Sequence, residues 1–197
     1  MTKQVEFYFD VGSPATYLAA TQLPRICEDT GATLVYRPML LGGIFQATGN
    51  ASPAAIPAKG RWMFDDLAAH AKRYGVPFRM NPHFPINTLL LQRGAVAMQR
   101  KHPDRFIAYL DAVFKAIWVS GRDMNDASVV AGVLHEAGFD AATVMGELTD
   151  PDVKAALKST TEEAVARGVF GAPTFFVDGR LYFGQDRLAF VREALAS

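Results

Sequence analysis

Near the amino terminus, apolar and polar positions alternate: Val5, Phe7 and Phe9 interleave with Glu6, Tyr8 and Asp10. A period of two marks a strand with one face turned to a core, and the run stops at Val11-Gly12. The period then changes. Ser13-Pro14 pairs a preferred N-cap with a preferred first helical residue, and Ala19, Ala20, Leu23, Ile26 and Cys27 follow at helical spacing. Gly31 closes this helix, and Pro24 is expected to kink it. Residues 32–39, with Leu34, Val35 and Tyr36, read as a second strand. A strand, helix and strand of this size fit a right-handed βαβ unit.

Residues 41–59 are rich in Gly, Pro, Ser, Ala and Asn and are expected to form a loop of the kind that carries function. Three-and-four spacing returns over residues 61–74, 88–101, 103–120 and 127–137, closed by Gly75, His102, Gly121 and Gly138. Residues 74–87 contain three prolines and are expected to be irregular. Residues 151–167 read as a further helix. Two short strands then flank Asp178-Gly179, a type I′ hairpin signal, and a last helix is expected from about residue 185 to 195. With the helical middle removed, the order is β-α-β-α-β-β-α. That is an α/β class with thioredoxin-like topology, although other α/β folds begin similarly. The expected division is a thioredoxin-like domain of residues 1–45 and 151–197, with 46–150 a loop plus an inserted all-helical domain.

Composition narrows the chemistry. The 197 residues are half apolar and 20% charged, an ordinary globular balance. Twenty basic against twenty acidic residues leave no net charge, which argues against nucleic acid as the primary partner. The single cysteine, Cys27, can form no disulfide within the chain, so dithiol redox chemistry is not intrinsic. The histidines at 70, 83, 102 and 135 show no metal-ligand spacing, and Asp65, Asp66 and His70 read as a solvated helix face; no metal is expected. The amino terminus lacks the apolar segment of a signal peptide, and no run approaches the roughly 18 apolar residues that span a bilayer. A cytoplasmic or similarly reducing setting away from membranes is therefore expected. Cys27 is expected in the core, and Trp62 and Trp118 are read as core or substrate wall, with core favoured.

Three short segments carry candidate chemistry, each with a plainer structural reading. Ser13 stands at a helix N-terminus, where unpaired N–H groups and about half a positive charge favour an anion and lower the pKa of a thiol; equally, it is a simple cap. Gly171-Ala172-Pro173-Thr174 precedes a strand. Pro173 there is either an ordinary trans proline or a cis proline that leaves the Ala172 backbone free to pair with an extended ligand. Gly184-Gln185-Asp186-Arg187 heads the last helix, where N–H groups suit a carboxylate and Asp186 an ammonium group, or where Asp186 merely complements the helix dipole.

Phe7-Tyr8-Phe9-Asp10, Ser13-Pro14-Ala15-Thr16-Tyr17-Leu18, Phe170-Gly171-Ala172-Pro173-Thr174 and Phe183-Gly184-Gln185-Asp186-Arg187 together resemble the family of 2-hydroxychromene-2-carboxylate isomerases and kappa-class glutathione transferases. The resemblance extends through Asn50, Ile56-Pro57-Ala58-Lys59-Gly60 and Phe84-Pro85-Ile86-Asn87, which look like positions lining the family's pocket. It implies a thioredoxin-like fold with an inserted helical domain, reduced glutathione as cofactor, a small aromatic or conjugated carbonyl substrate and a homodimer. Ser13 would contact the glutathione sulfur, where related oxidoreductases carry a redox cysteine. Ala172, beside a cis Pro173, would pair with the cysteinyl unit, and Gln185 with Asp186 would hold the γ-glutamyl head. Asn50 and Lys59 would complete the pocket. Two positions depart from the family pattern: Ala15 stands where an aromatic residue often follows Ser-Pro, and Gln185 where Ser or Asn is usual. The implied activities are isomerisation and, alternatively, glutathione transfer. A noncatalytic thioredoxin-like module binding a peptide at the Pro173 groove is the alternative of another class.

Overall fold

A computed structural model describes residues 2–197. The first strand, β1 (Gln4–Phe9), runs parallel to β2 (Thr33–Pro38), and α1 (Pro14–Thr30) makes the crossover between them. On its other side β1 pairs antiparallel with β3 (Thr174–Val177), which continues into β4 (Arg180–Phe183), so the sheet order is β2-β1-β3-β4. This is the expected thioredoxin-like arrangement. Asp178 and Gly179 at the hairpin have φ of 49° and 79°, the two positive values that a type I′ turn requires.

The alternation along β1 assigns its two faces. Val5, Phe7 and Phe9 enter the larger core, where Phe7 stacks on Phe175 of β3 with ring centroids 5.5 Å apart. Tyr8 faces the other way and packs with Met39, Ile44, Ala164, Val169 and Phe176. Helix α8 (Pro151–Ala166) contributes Ala164 to this second face, whereas α1 and α9 (Leu188–Ala196) cover the first.

Between β2 and α8 the chain is more helical than expected. The loop foreseen over residues 41–59 is instead α2 (Leu41–Thr48), a 3-10 turn at Pro53–Ala55, and the start of α3 (Pro57–Tyr74), four residues before the expected Arg61. Gly42 and Gly43 hide α2 from a propensity argument, since each costs about 1 kcal/mol in a helix interior. Tertiary contacts override them. The Leu41 N–H donates to Asp10 Oδ2 at 2.8 Å and the Leu40 N–H to Thr161 Oγ1 at 3.0 Å. A side chain at Gly43 would stand 3.2 Å from the Thr161 methyl, so glycine is what lets α2 lie this close to α8.

Helices α4 (Leu89–Lys101), α5 (Phe106–Trp118) and α6 (Ala127–Glu136) follow the expected spacing. Another, α7 (Ala141–Glu147), was not anticipated and is capped by Asp140, whose Oδ1 accepts from the Ala142 and Thr143 N–H groups. Helix α1 runs unbroken through Pro24, and the last helix starts only at Leu188, after a 3-10 turn at Gln185–Arg187. Residues 74–87 are irregular, as their prolines require, with a cis bond at Phe84–Pro85. The expected domain boundary at residues 45 and 46 falls inside α2. Tyr17 and Leu18 of α1 share one core with Tyr109, Phe114 and Trp118 of α5, so the inserted helices pack directly against the βαβ unit. No helix among the described residues is long and apolar enough to cross a membrane.

Candidate active site

The end of β1 is held in place mainly by the inserted helices. Gln92, fully buried on α4, donates through Nε2 to the carbonyls of Phe9 and Met39, both at 2.8 Å, while its Oε1 accepts the Val11 N–H. Trp118 Nε1 donates to the Val11 carbonyl at 2.8 Å. Asp10, also buried, accepts from the Gly12 N–H at 2.9 Å, the Leu41 N–H at 2.8 Å and the Thr88 hydroxyl at 2.9 Å. These bonds favour its ionised form, but burial outweighs them and pushes the Asp10 carboxyl above the ordinary carboxylate range. Gly12 must be small here: a Cβ would stand 2.6 Å from the Thr88 methyl.

On this pinned turn Ser13 does two things. In an extended conformation, φ −91° and ψ 119°, it caps α1, its Oγ accepting the Thr16 N–H at 3.2 Å. The same hydroxyl donates to the Ala172 carbonyl at 3.0 Å, bridging the helix N-terminus to the loop before β3. Pro14 has no N–H, so the Ala15 N–H is left as a first-turn donor without an intrahelical partner. The Ala172–Pro173 bond is cis, and the Pro173 carbonyl accepts the Gly184 N–H at 3.0 Å, which ties the loop to the turn before α9. Ala172 N–H finds no acceptor among the described residues.

A cleft of about 400 Å³ opens over this junction. Ser13, Asn50, Ala172, Gln185 and Asp186 line it, so five of the sequence-predicted residues, drawn from four separate segments, converge. Asn50 also ties the segment after α2 to the same loop, its Nδ2 donating to the Phe170 carbonyl at 2.8 Å. Pro173, which follows Ala172 through the cis bond, is not among the lining residues. Lys59 does not line the cleft; it is exposed on the first turn of α3. Of its neighbours, Pro57 and Gly60 line an adjoining depression that shares Ser52 and Phe84 with the cleft.

The walls include residues that sequence reasoning missed. Phe45, which the sequence did not single out, stands in the lining with the aromatic side chains of Trp62, Phe84, Phe170 and Phe183. Trp118 is fully buried, the favoured reading, whereas Trp62 is 68% exposed and takes the alternative of a pocket wall. Helical spacing places Trp62 on a face of α3 but does not say whether that face meets the core or the cleft. Asp66, expected on a solvated face, also lines the cleft, and it and Asp186 are the charged groups among the described lining residues. Cys27 is buried on α1 and its thiol is pushed up by desolvation, so it is an inert packing group. No cluster of three metal-ligating side chains occurs among the described residues.

A helix N-terminus facing a cis-proline loop across a cleft, on a mixed four-stranded sheet with a helical insertion, places the molecule in the DsbA-like class of thioredoxin folds. The model of the DSBA-like thioredoxin domain matches residues 4–196. The chain is 32% identical to 2-hydroxychromene-2-carboxylate isomerase of Sphingobium xenophagum over 197 residues, covering 99% of both proteins. It is 29% identical to glutathione S-transferase kappa 1 of Homo sapiens over 211 residues, covering 99% of this chain and 92% of that one. A solved structure of selenomethionine 2-hydroxychromene-2-carboxylate isomerase superposes with a TM-score of 0.86 at 29% identity, covering 98% of this chain and 94% of that one. A probable DsbA oxidoreductase from Streptomyces coelicolor shares the fold at a TM-score of 0.76 and 22% identity, covering 98% and 88% of the two chains. The chain thus belongs to the DSBA-like thioredoxin family, in the group formed by 2-hydroxychromene-2-carboxylate isomerases and kappa-class glutathione transferases.

Proposed function

We propose that this chain is a glutathione-dependent cis/trans isomerase acting on a substrate of the 2-hydroxychromene-2-carboxylate type. The observation that carries the reading is the Ser13 hydroxyl, placed at the N-terminus of α1 and bonded across the cleft to the Ala172 carbonyl. When bound, glutathione would supply a thiolate nucleophile for a double bond conjugated to a carbonyl, with Ser13 and the N-terminus of α1 holding its sulfur. The residues fit that cofactor. Ala172 offers a free N–H and, once the Ser13 hydroxyl turns away, a free carbonyl, the pair an extended peptide backbone needs. The hydroxyl and the Ala15 N–H then face the sulfur, where the helix N-terminus favours the ionised form.

Gln185 and Asp186 are assigned the γ-glutamyl head, Asp186 matching its ammonium group. Asn50 holds the loop that presents Ala172, and Lys59, exposed on the first turn of α3 outside the cleft lining, is assigned an anionic carboxylate. Phe45, Trp62 and Phe84 are assigned the planar acceptor. The same site, offered an electrophile with a leaving group, would perform a transfer, the second reading that the kappa-class relatives support. The lone buried thiol suits a reducing, cytoplasmic setting, and a homodimer is the assembly that sedimentation would test.

The test is calorimetric titration of reduced glutathione into the wild type and Ser13→Ala, with the ultraviolet absorbance of the bound thiolate followed against pH. The reading expects binding with a depressed thiol pKa that rises in the variant. Failure to bind at millimolar concentrations would sink both enzyme readings and leave the peptide-binding module. Given binding, isomerisation of a hydroxychromene carboxylate against conjugation of an activated haloarene separates isomerase from transferase.

A further inference from the structure

Helix α2 separates two cavities. Leu41 and Phe45 line the cleft, whereas Gly43, Gln46 and Ala47 line a second depression of about 660 Å³ enclosed with α4 and α8. Leu89, Leu157 and Val165 give it apolar walls. Around them stand three cations, Arg93 of α4 with Lys154 and Lys158 of α8, against one acid, Glu162, which lies 3.7 Å from the Lys158 ammonium. Among the described residues, neither Arg93 nor Lys154 has a carboxylate within 4.0 Å.

Arg93 adds a second, independent observation: its Nε is buried and has no hydrogen-bond partner. Arg93 thus forms no hydrogen bond among the described residues, although buried donors are paired in the great majority of cases. Arg167, by comparison, spends its guanidinium on Glu6 and Tyr8.

We propose that this depression is a binding site for a small organic monocarboxylate, with the carboxylate on Arg93 and the two lysines and the carbon body against the apolar walls. The two terminal Nη nitrogens, which unlike Nε are not closed off from solvent, match a carboxylate through two parallel hydrogen bonds. The apolar walls select a carbon-bodied anion over an inorganic one, and the volume lies in the range of small-molecule sites. The excess of cations over acids excludes an organic cation. Nothing in the proposal depends on Ser13 or on the chemistry assigned to the cleft.

The full-length, nitrogen-15-labelled protein titrated with benzoate, benzamide and sulfate, each followed by amide shifts, tests it. The expected result is saturable shifts from benzoate centred on Gly43, Arg93 and Thr161. Benzamide and sulfate should bind at least about tenfold more weakly, as the loss of one charge-assisted bond or of the apolar contact implies. Arg93→Gln should weaken benzoate by a similar factor. Lys154→Ala, at an exposed position, should weaken it several-fold and covers the case in which the Arg93 variant misfolds. The proposal is overturned by benzoate shifts confined to Gly12, Ser13 and Ala172, by equal binding of benzamide or sulfate, or by no saturation up to tens of millimolar.

Discussion

Two carboxylates of the same parity lie along the first strand and its exit, Glu6 within β1 and Asp10 one residue beyond its end, and the molecule treats the two oppositely. At the outer end Glu6 meets charge: Arg167 donates to both its oxygens at 2.8 and 2.9 Å, and Arg37 adds bonds at 3.1 and 3.2 Å. Arg167 also lies 3.9 Å above the Phe176 ring and donates to the Tyr8 hydroxyl. The Arg167 hydrogen bonds hold the Glu6 carboxyl below its ordinary range, against desolvation. Tyr8, desolvated and bonded to Glu163, is pushed up to about 12. At the inner end Asp10 meets only neutral donors, and burial wins. One carboxylate fastens the sheet to α8 through charge. The other gathers α2, α4 and the turn before Ser13 through hydrogen bonds.

Asp10→Ala should show the largest effect. It strips the acceptor from two backbone N–H groups and the Thr88 hydroxyl, at about 3 kcal/mol or more. For a chain of this length that lowers the melting temperature by roughly 6–12 °C. A loss under about 1 kcal/mol in thermal unfolding would mean that the inner end does not depend on this residue. Gln92→Leu should come next, at about 2–3 kcal/mol in urea unfolding, because the Phe9 and Met39 carbonyls lose their side-chain donor inside the core.

Arg167→Ala should cost about 2 kcal/mol, less than the inner-end variants, since Glu6 keeps Arg37 and α8 keeps its apolar contacts. A double-mutant cycle with Glu6→Gln should give a favourable coupling, and a coupling near zero would reduce the outer end to packing. The smallest effect sharpens the comparison most, because the two ends should respond to pH with opposite signs. Glu6 has a depressed pKa, so its contribution is present above the unfolded carboxylate range and lost as pH falls through the folded value. Asp10 has a raised pKa, so its contribution is complete below the unfolded range and lost as pH rises through the folded value. Urea unfolding between about pH 3 and 7 should therefore show Glu6→Gln losing its deficit toward acid. Asp10→Asn should lose its deficit toward neutral pH. Deficits that shrink in the same direction would break the comparison.

Much of the site was legible because its parts are local. Ser13-Pro14 announces a capped helix by residue type, Asp178-Gly179 a hairpin, and Gly171-Ala172-Pro173-Thr174 an entry to a strand whose proline geometry the residues alone leave open. Asp10, Thr88 and Gln92 were not legible as a set. Each is an unremarkable polar residue beside an apolar run, and only the fold brings β1 and α4 within bonding distance. Trp62 stayed open between core and wall, and Asp66 escaped, for a related reason: helical periodicity defines a face, but the partner that covers or exposes it lies elsewhere in the chain.

The sequence alone determined the order of strands and main helices, the caps and the hairpin, since these rest on backbone preferences and hydrophobic periods that act within a few residues; Asn50 and Lys59 became candidates only through the family resemblance. The tertiary structure decided that residues 41–48 are helical despite two glycines, and that Lys59 stands outside the cleft lining while Trp62 forms its wall. It also decided that two carboxylates along the first strand and its exit titrate in opposite directions. Those outcomes depend on burial and on partners tens of residues away, such as Thr161 for α2 and Arg167 for Glu6, and a local pattern carries no information about such distances.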